Sequence, residues 1–201
     1  MPNCESLISK DIDRDCDNPP VTGLEANSVI INRSDIDFSS VTFAEGKRNI
    51  IENLGLKNGK KGYAMYVPGA TPYSGTTKTL NVGTYINTFN NEFHAVILNG
   101  GPDVCENIID GLANGSFLVV FENKFKAGEN KEGAFEIMGF YQGLTATELS
   151  NDKYGEDTEG GWAVTLTENR SPKSGLYLFK TSYEATETLF NSLKTAAGGS
   201  L

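Results

Sequence analysis

Phe117-Leu118-Val119-Val120-Phe121 is apolar at every position. Side chains alternate between the two faces of a strand, so such a run must be covered on both sides. It predicts an interior strand over 116–125 with a packing layer above and below it. A polar turn, Lys126–Gly133, follows. Phe135, Ile137, Gly139 and Tyr141 then alternate with Glu136, Met138 and Phe140. The segments 116–125 and 134–142 are therefore predicted to form an antiparallel hairpin.

Other segments fit around that hairpin. From Asn27 the chain is strand-like, with Val29, Ile30, Ile31, Ile36, Phe38, Val41 and Phe43 set among Asn, Asp and Ser. Residues 48–57 are predicted as a short helix with Ile50, Ile51 and Leu54 on one side, punctuated by Gly55 and Asn58-Gly59. Tyr63–Val67 is predicted as a strand, and the Gly, Thr, Ser and Pro-rich stretch 69–79 as an exposed loop. Thr79–Phe89 and Glu92–Leu98 are predicted strands joined by a tight turn at Asn90-Asn91.

The clearest helix is 102–114. Pro102 suits its first position, Asp103 and Glu106 suit its positive end, and Asn114-Gly115 stops it. Val104, Cys105, Ile108, Ile109 and Leu112 form its apolar stripe, which makes Cys105 a small buried hydrophobe. Residues 151–161 read as an exposed acidic loop. Trp162, Val164 and Leu166 alternate with Ala163, Thr165 and Thr167 as a half-buried strand, and Leu176–Lys180 is another. Thr181 and Glu184 form a capping box for a helix over about 182–195.

The strands and the two helices are segregated instead of alternating. That predicts an α+β fold: a mainly antiparallel β-sandwich or barrel-like sheet with two packed helices, an extended N-terminal arm and long loops. The domain organisation is an arm over 1–26 and a single domain over 27–201. The arm carries Asp11, Asp13, Asp15 and Asp17 in alternation, then Asn18-Pro19-Pro20, which breaks any helix or ladder.

Little in the chain carries reaction chemistry. His94 is the only histidine, and Cys4, Cys16 and Cys105 lack C-x-x-C spacing, so a zinc site of ordinary type is not spelled out. Gly55-Leu56-Lys57-Asn58-Gly59-Lys60-Lys61 is one residue short of a phosphate loop, and Lys61 stands where Ser or Thr would bind magnesium. The aspartates at 11, 13, 15 and 17 mimic calcium-loop spacing, but Cys16 and Thr22 occupy the positions that need Gly and Glu. The expectation is no enzyme, no cofactor and no metal. A net charge of -9 from 26 acidic and 17 basic residues argues against a nucleic-acid grip. The start lacks a basic segment followed by an apolar one, so no secretory signal and no membrane span are expected.

The order of elements from Pro102 through Thr181 resembles the core of phage tail tube proteins. The elements that carry the likeness are the helix 102–114, the strand Ser116–Phe125, the strand Phe135–Gly143, the loop through Glu148-Leu149-Ser150-Asn151-Asp152, and Gly160-Gly161-Trp162-Ala163-Val164-Thr165-Leu166-Thr167. The resemblance covers about half the chain. It implies a structural protein of the virion, made in the host cytoplasm. Such subunits form rings, expected to be hexameric, and each adds strands to an inner barrel. The rings stack into a tube through which DNA passes without specific binding, and other tail proteins are partners. Glu122 and Glu136 are then candidates to face the bore. Asp11, Asp13, Asp15, Asp17, Tyr73, Asp152, Glu156 and Asp157 are candidates for contacts between subunits. The alternatives are a capsid decoration or head–tail completion protein, a virion carbohydrate-binding sandwich, and a small hydrolase with an unmarked site.

Overall fold

The computed structural model describes residues 8–13, 16–66 and 75–197. Asp15, Tyr73 and most of the expected 69–79 loop lie outside them. The described chain runs β1 (Leu24–Asn32), β2 (Thr42–Phe43), β3 (Ile50–Asn53), β4 (Tyr63–Tyr66), β5 (Gly75–Asn81) and β6 (Thr88–Ile97). A helical run follows, made of α1 (Pro102–Val104), a π turn (Cys105–Ile109) and α2 (Asp110–Asn114). Then come β7 (Phe117–Asn123), β8 (Phe135–Met138), β9 (Thr145–Asn151), β10 (Trp162–Ser171), β11 (Leu176–Leu178) and α3 (Tyr183–Ser192). The fold is α+β and sandwich-like, built from two unclosed sheets.

The large sheet has seven strands in the order β2-β3-β11-β8-β7-β1-β4. Only the β3–β11 pair in it is parallel. The small sheet has four antiparallel strands in the order β5-β6-β10-β9. The apolar run at 117–121 does what its pattern requires. Leu118 and Val120 join the core beneath α3, while Phe117, Val119 and Phe121 join the core between the two sheets. Leu118, Val119, Val120 and Phe121 have no exposed surface. The predicted hairpin is the β7–β8 pair, with Val120 opposite Ile137.

α3 lies on the far face of the large sheet. Its Tyr183 stacks on Phe135 of β8 at 5.6 Å between ring centres, and Phe190 meets the same ring at 5.0 Å. The cap is Ser182, not the expected Thr181: the Ser182 hydroxyl accepts from Ala185 N at 3.2 Å. Thr186 is fully buried and donates to Ser182 O, which ties the first turn to its own cap.

Five further expectations are corrected. Residues 50–53 form a strand, because β-branched Ile50 and Ile51 find partners in Tyr177 and Leu178, and pairing outweighs a short helical pattern. The β5–β6 turn falls at 82–87, so Asn90 and Asn91 stand inside β6, opposite Thr79 and Lys78. The helix at 102–114 exists, but its π turn rotates the stripe. Val104, Ile109 and Leu112 are buried, Ile108 is 41% exposed, and Cys105 points outward. Residues 148–151, expected in a loop, belong to the edge strand β9. At the other end β1 begins at Leu24, within the expected arm.

Replacing Phe121 by Ala should cost about 3–5 kcal/mol, because both sheets lose packing there. Tyr154→Ala, at a residue 95% exposed, should stay within about 0.5 kcal/mol. Urea unfolding of the two variants checks this, and equal losses would contradict the layer assignment.

Candidate functional site

The chain crosses from the large sheet to the small one through residues 139–144. Gly139 opens the crossing with φ 83°, and a side chain there would stand 2.3 Å from the Phe117 carbonyl oxygen. Only glycine fits both constraints. The crossing turns backbone N–H groups inward, where water cannot satisfy them. Glu168 of β10 does so instead. One carboxyl oxygen accepts from Tyr141 N at 3.1 Å and Gln142 N at 3.0 Å. The other accepts from Gly139 N at 3.1 Å and from Asn91 Nδ2 at 2.9 Å. Glu168 is 1% exposed.

The carboxyl groups expected to face a bore have other surroundings. Glu136 is 5% exposed and reaches from β8 between the sheets to Lys78 of β5. Glu122 is 8% exposed and lies under α3, 2.7 Å from Lys126 and 2.6 Å from the Tyr183 hydroxyl. Neither presents its carboxyl to an open face of the described chain. The large sheet is covered on both sides here, so a glutamate between apolar neighbours has no solvent side to occupy. Burial opposes the charge on Lys126, but Glu122 and Tyr183 outweigh it and hold the ammonium above its ordinary pKa. Burial, with Glu136 beside it, pushes the Tyr177 hydroxyl up to about 12.

The open surface that stands out is the outer face of the small sheet. Leu166 pairs with Phe93 and Val164 with Ala95, all turned to the inter-sheet core. The alternate pairs therefore face outward: Thr167 with Glu92, Thr165 with His94 and, at the end of the row where both are buried, Ala163 with Val96. Thr77 lies beside Glu92, and Glu148 and Thr145 continue the same rows on β9. His94 Nδ1 is 3.2 Å from the Thr165 hydroxyl, and its Nε2 is 3.6 Å from Glu92. Lys78 and Arg170 are the only Lys or Arg residues in these strands. Lys78 turns inward to Glu136, and Arg170 sits in the bulge between Glu168 and Ser171. The paired outer rows thus carry threonines, Glu92, His94 and Glu148 and no Lys or Arg, with Arg170 exposed at the bulge. Among the described residues, its edge strands β5 and β9 have no outer partner.

The expected contact residues are spread out. Asp11, Asp13 and Asp17 are exposed in the segment before β1, and Asp152, Glu156 and Asp157 are exposed around the short turn at 156–158 between β9 and β10. The structure does not bring the two groups together into one site. Among the described residues, no cluster of three or more His, Cys, Asp or Glu is placed to hold a metal ion. No described helix is long and apolar enough to cross a membrane. Comparison with protein-family models, with curated proteins and with solved structures finds no match to this chain.

Glu168→Ala should destabilise the chain by at least about 3 kcal/mol, since it strands buried donors. A loss under about 1 kcal/mol in urea unfolding would remove Glu168 from this role. Alkaline behaviour follows from Tyr177. Its pKa is higher in the fold, at about 12 against an ordinary 10.0, so between these values the native state holds the extra proton. Stability is then full below about pH 10 and falls as pH rises toward 12. Tyr177→Phe should flatten that fall in melting temperature, and an unchanged slope would contradict the assignment.

Proposed function

We propose that this chain is a structural virion protein whose copies close into rings of a tail tube, with the outer face of the small sheet lining the bore. The single observation that carries this reading is that face: four strands whose paired outer rows are mainly threonines, Glu92, His94 and Glu148 and hold no Lys or Arg, with two unpaired edges among the described residues. An unpaired sheet edge invites another strand, and closure into a barrel removes it. β5 of one copy and β9 of the next supply the two edges that such closure needs. The ring is a homo-oligomer, other tail proteins cap it, and no catalytic step or cofactor enters.

The charge pattern suits passage of a polyanion. Duplex DNA carries one negative charge per about 1.7 Å of axis, and lysines on the wall would bind it by phosphate contacts. Six copies at -9 each carry -54. On this reading Glu92 and Glu148 replace Glu122 and Glu136 as the bore-facing carboxylates.

Negative-stain microscopy of the purified chain tests the reading directly. Rings or tubes with a stain-filled lumen are expected, and a strict monomer at high concentration would contradict it. Saturable glycan binding by that monomer would favour the carbohydrate-binding alternative. In assembled particles, Glu92→Lys with Glu148→Lys should leave the tubes intact and slow DNA release. An unchanged release rate would show that these residues do not face the bore.

A further inference from the structure

β6 has an apolar tip at one end and an apolar groove at the other. The 82–87 turn exposes Val82, Tyr85 and Ile86 by 76%, 97% and 73%. The turn is closed on itself: Asn87 Oδ1 accepts from Gly83 N at 3.3 Å, and a side chain at Gly83 would stand 2.3 Å from the Ile86 carbonyl oxygen. Large apolar side chains are thus held out on a shaped loop. At the far end of β6, between edge strand β4 and the helical run at 102–114, lies a groove of about 580 Å³. Val96, Leu112 and Phe117 form its buried lining, and Tyr63, Tyr66, Leu98 and Ile108 are its exposed rim.

The two surfaces match in chemistry. None of the groove's lining residues is charged, and none of residues 81–88 is charged, in a chain where 21% of residues are. Both mix apolar side chains with asparagine amides: Asn32, Asn99 and Asn107 at the groove, Asn81 and Asn87 at the tip. Exposed apolar surface rimmed by neutral polar groups is characteristic of contact sites. A tyrosine that is apolar along its body and polar at its end is a favoured anchor in such contacts.

Geometry excludes a contact within one copy. β6 has ten residues, so at about 3.3 Å per residue the tip and the groove stand roughly 30 Å apart. A tip can fill only another copy's groove. Such a contact joins two different patches and repeats head to tail, which gives rings or open stacks. We propose that the 82–87 tip of one copy seats in the β4/102–114 groove of the next, along the direction of β6. This goes beyond the bore reading: it names a second contact between copies and stands on the two surfaces alone.

Cysteine pairing in the full chain tests it. Cys4, Cys16 and Cys105 are first changed to serine. Ile86→Cys and Ile108→Cys are then introduced separately and together, with folding checked by circular dichroism. Mild oxidation of the two single variants mixed should give linked dimers, and the double variant should give a ladder of linked chains. Neither single variant alone should link more than a Tyr154→Cys control. Absence of mixed dimers or of the ladder would overturn the contact. Independently, Tyr85→Asp and Ile108→Asp should each raise the concentration needed for self-association at least about tenfold, and unchanged self-association in both would overturn it. Saturable fatty-acid uptake by the groove, with self-association unaffected by Tyr85→Asp, would assign the groove to a small ligand instead. Tubes without tip–groove links would sink this contact and leave the bore reading standing. Linked ladders without a lumen would do the reverse.

Discussion

One carboxyl group holds the two sheets in register. Glu168 accepts four hydrogen bonds at 2.9–3.1 Å from the segment that leaves the large sheet and from Asn91 of the small one. Burying a carboxyl group is costly unless its hydrogen bonds are made, and burying bare N–H groups is costly for the same reason. Each need answers the other here. The apolar layer between the sheets, with Phe93, Phe121 and Leu166, supplies most of the attraction but little direction. Glu168 supplies the direction. Lys78 and Glu136 add a second tie across the same gap.

That arrangement decides what each face of the molecule can do. The large sheet is occupied on both sides, by α3 and by the small sheet. Its Glu122 and Glu136 are absorbed into pairs with Lys126 and Lys78. The small sheet has only its inner face occupied. Its outer face keeps Glu92, His94, Glu148 and a set of threonines. The lysine in its edge strand β5 is drawn inward to Glu136, so the structural tie between the sheets also clears a cation from the outer rows. Stability and surface chemistry are linked through one side chain.

The layer plan was legible in the sequence because it rests on local period. Five apolar residues in a row at 117–121 demand two covering layers, and Pro102 with Asn114-Gly115 marks a helix by its ends. What stayed hidden depends on partners far along the chain. Glu168 lies 26 to 77 positions from the groups it binds, and in its strand it looks like any outward acid. Asn90-Asn91 has turn composition but is held in β6 by ladders on both sides, while the real turn at 82–87 carries valine, tyrosine and isoleucine. Ile50 and Ile51 have a helical neighbourhood and a strand's partners. Cys105 fits the stripe of a regular helix and is turned out by a π turn that no spacing announces. The outer face of the small sheet could be assembled only once β5, β6, β9 and β10 were set side by side.

The proposed tube requires the small sheet to close with its neighbours around a bore. An electron cryomicroscopy map of the assembled protein tests it most directly. In that map β5 of one copy is expected beside β9 of the next, with Glu92, Glu148 and Thr165 facing the lumen. A map in which the small sheet's outer face points away from the axis, or in which lysine and arginine line the channel, would contradict it.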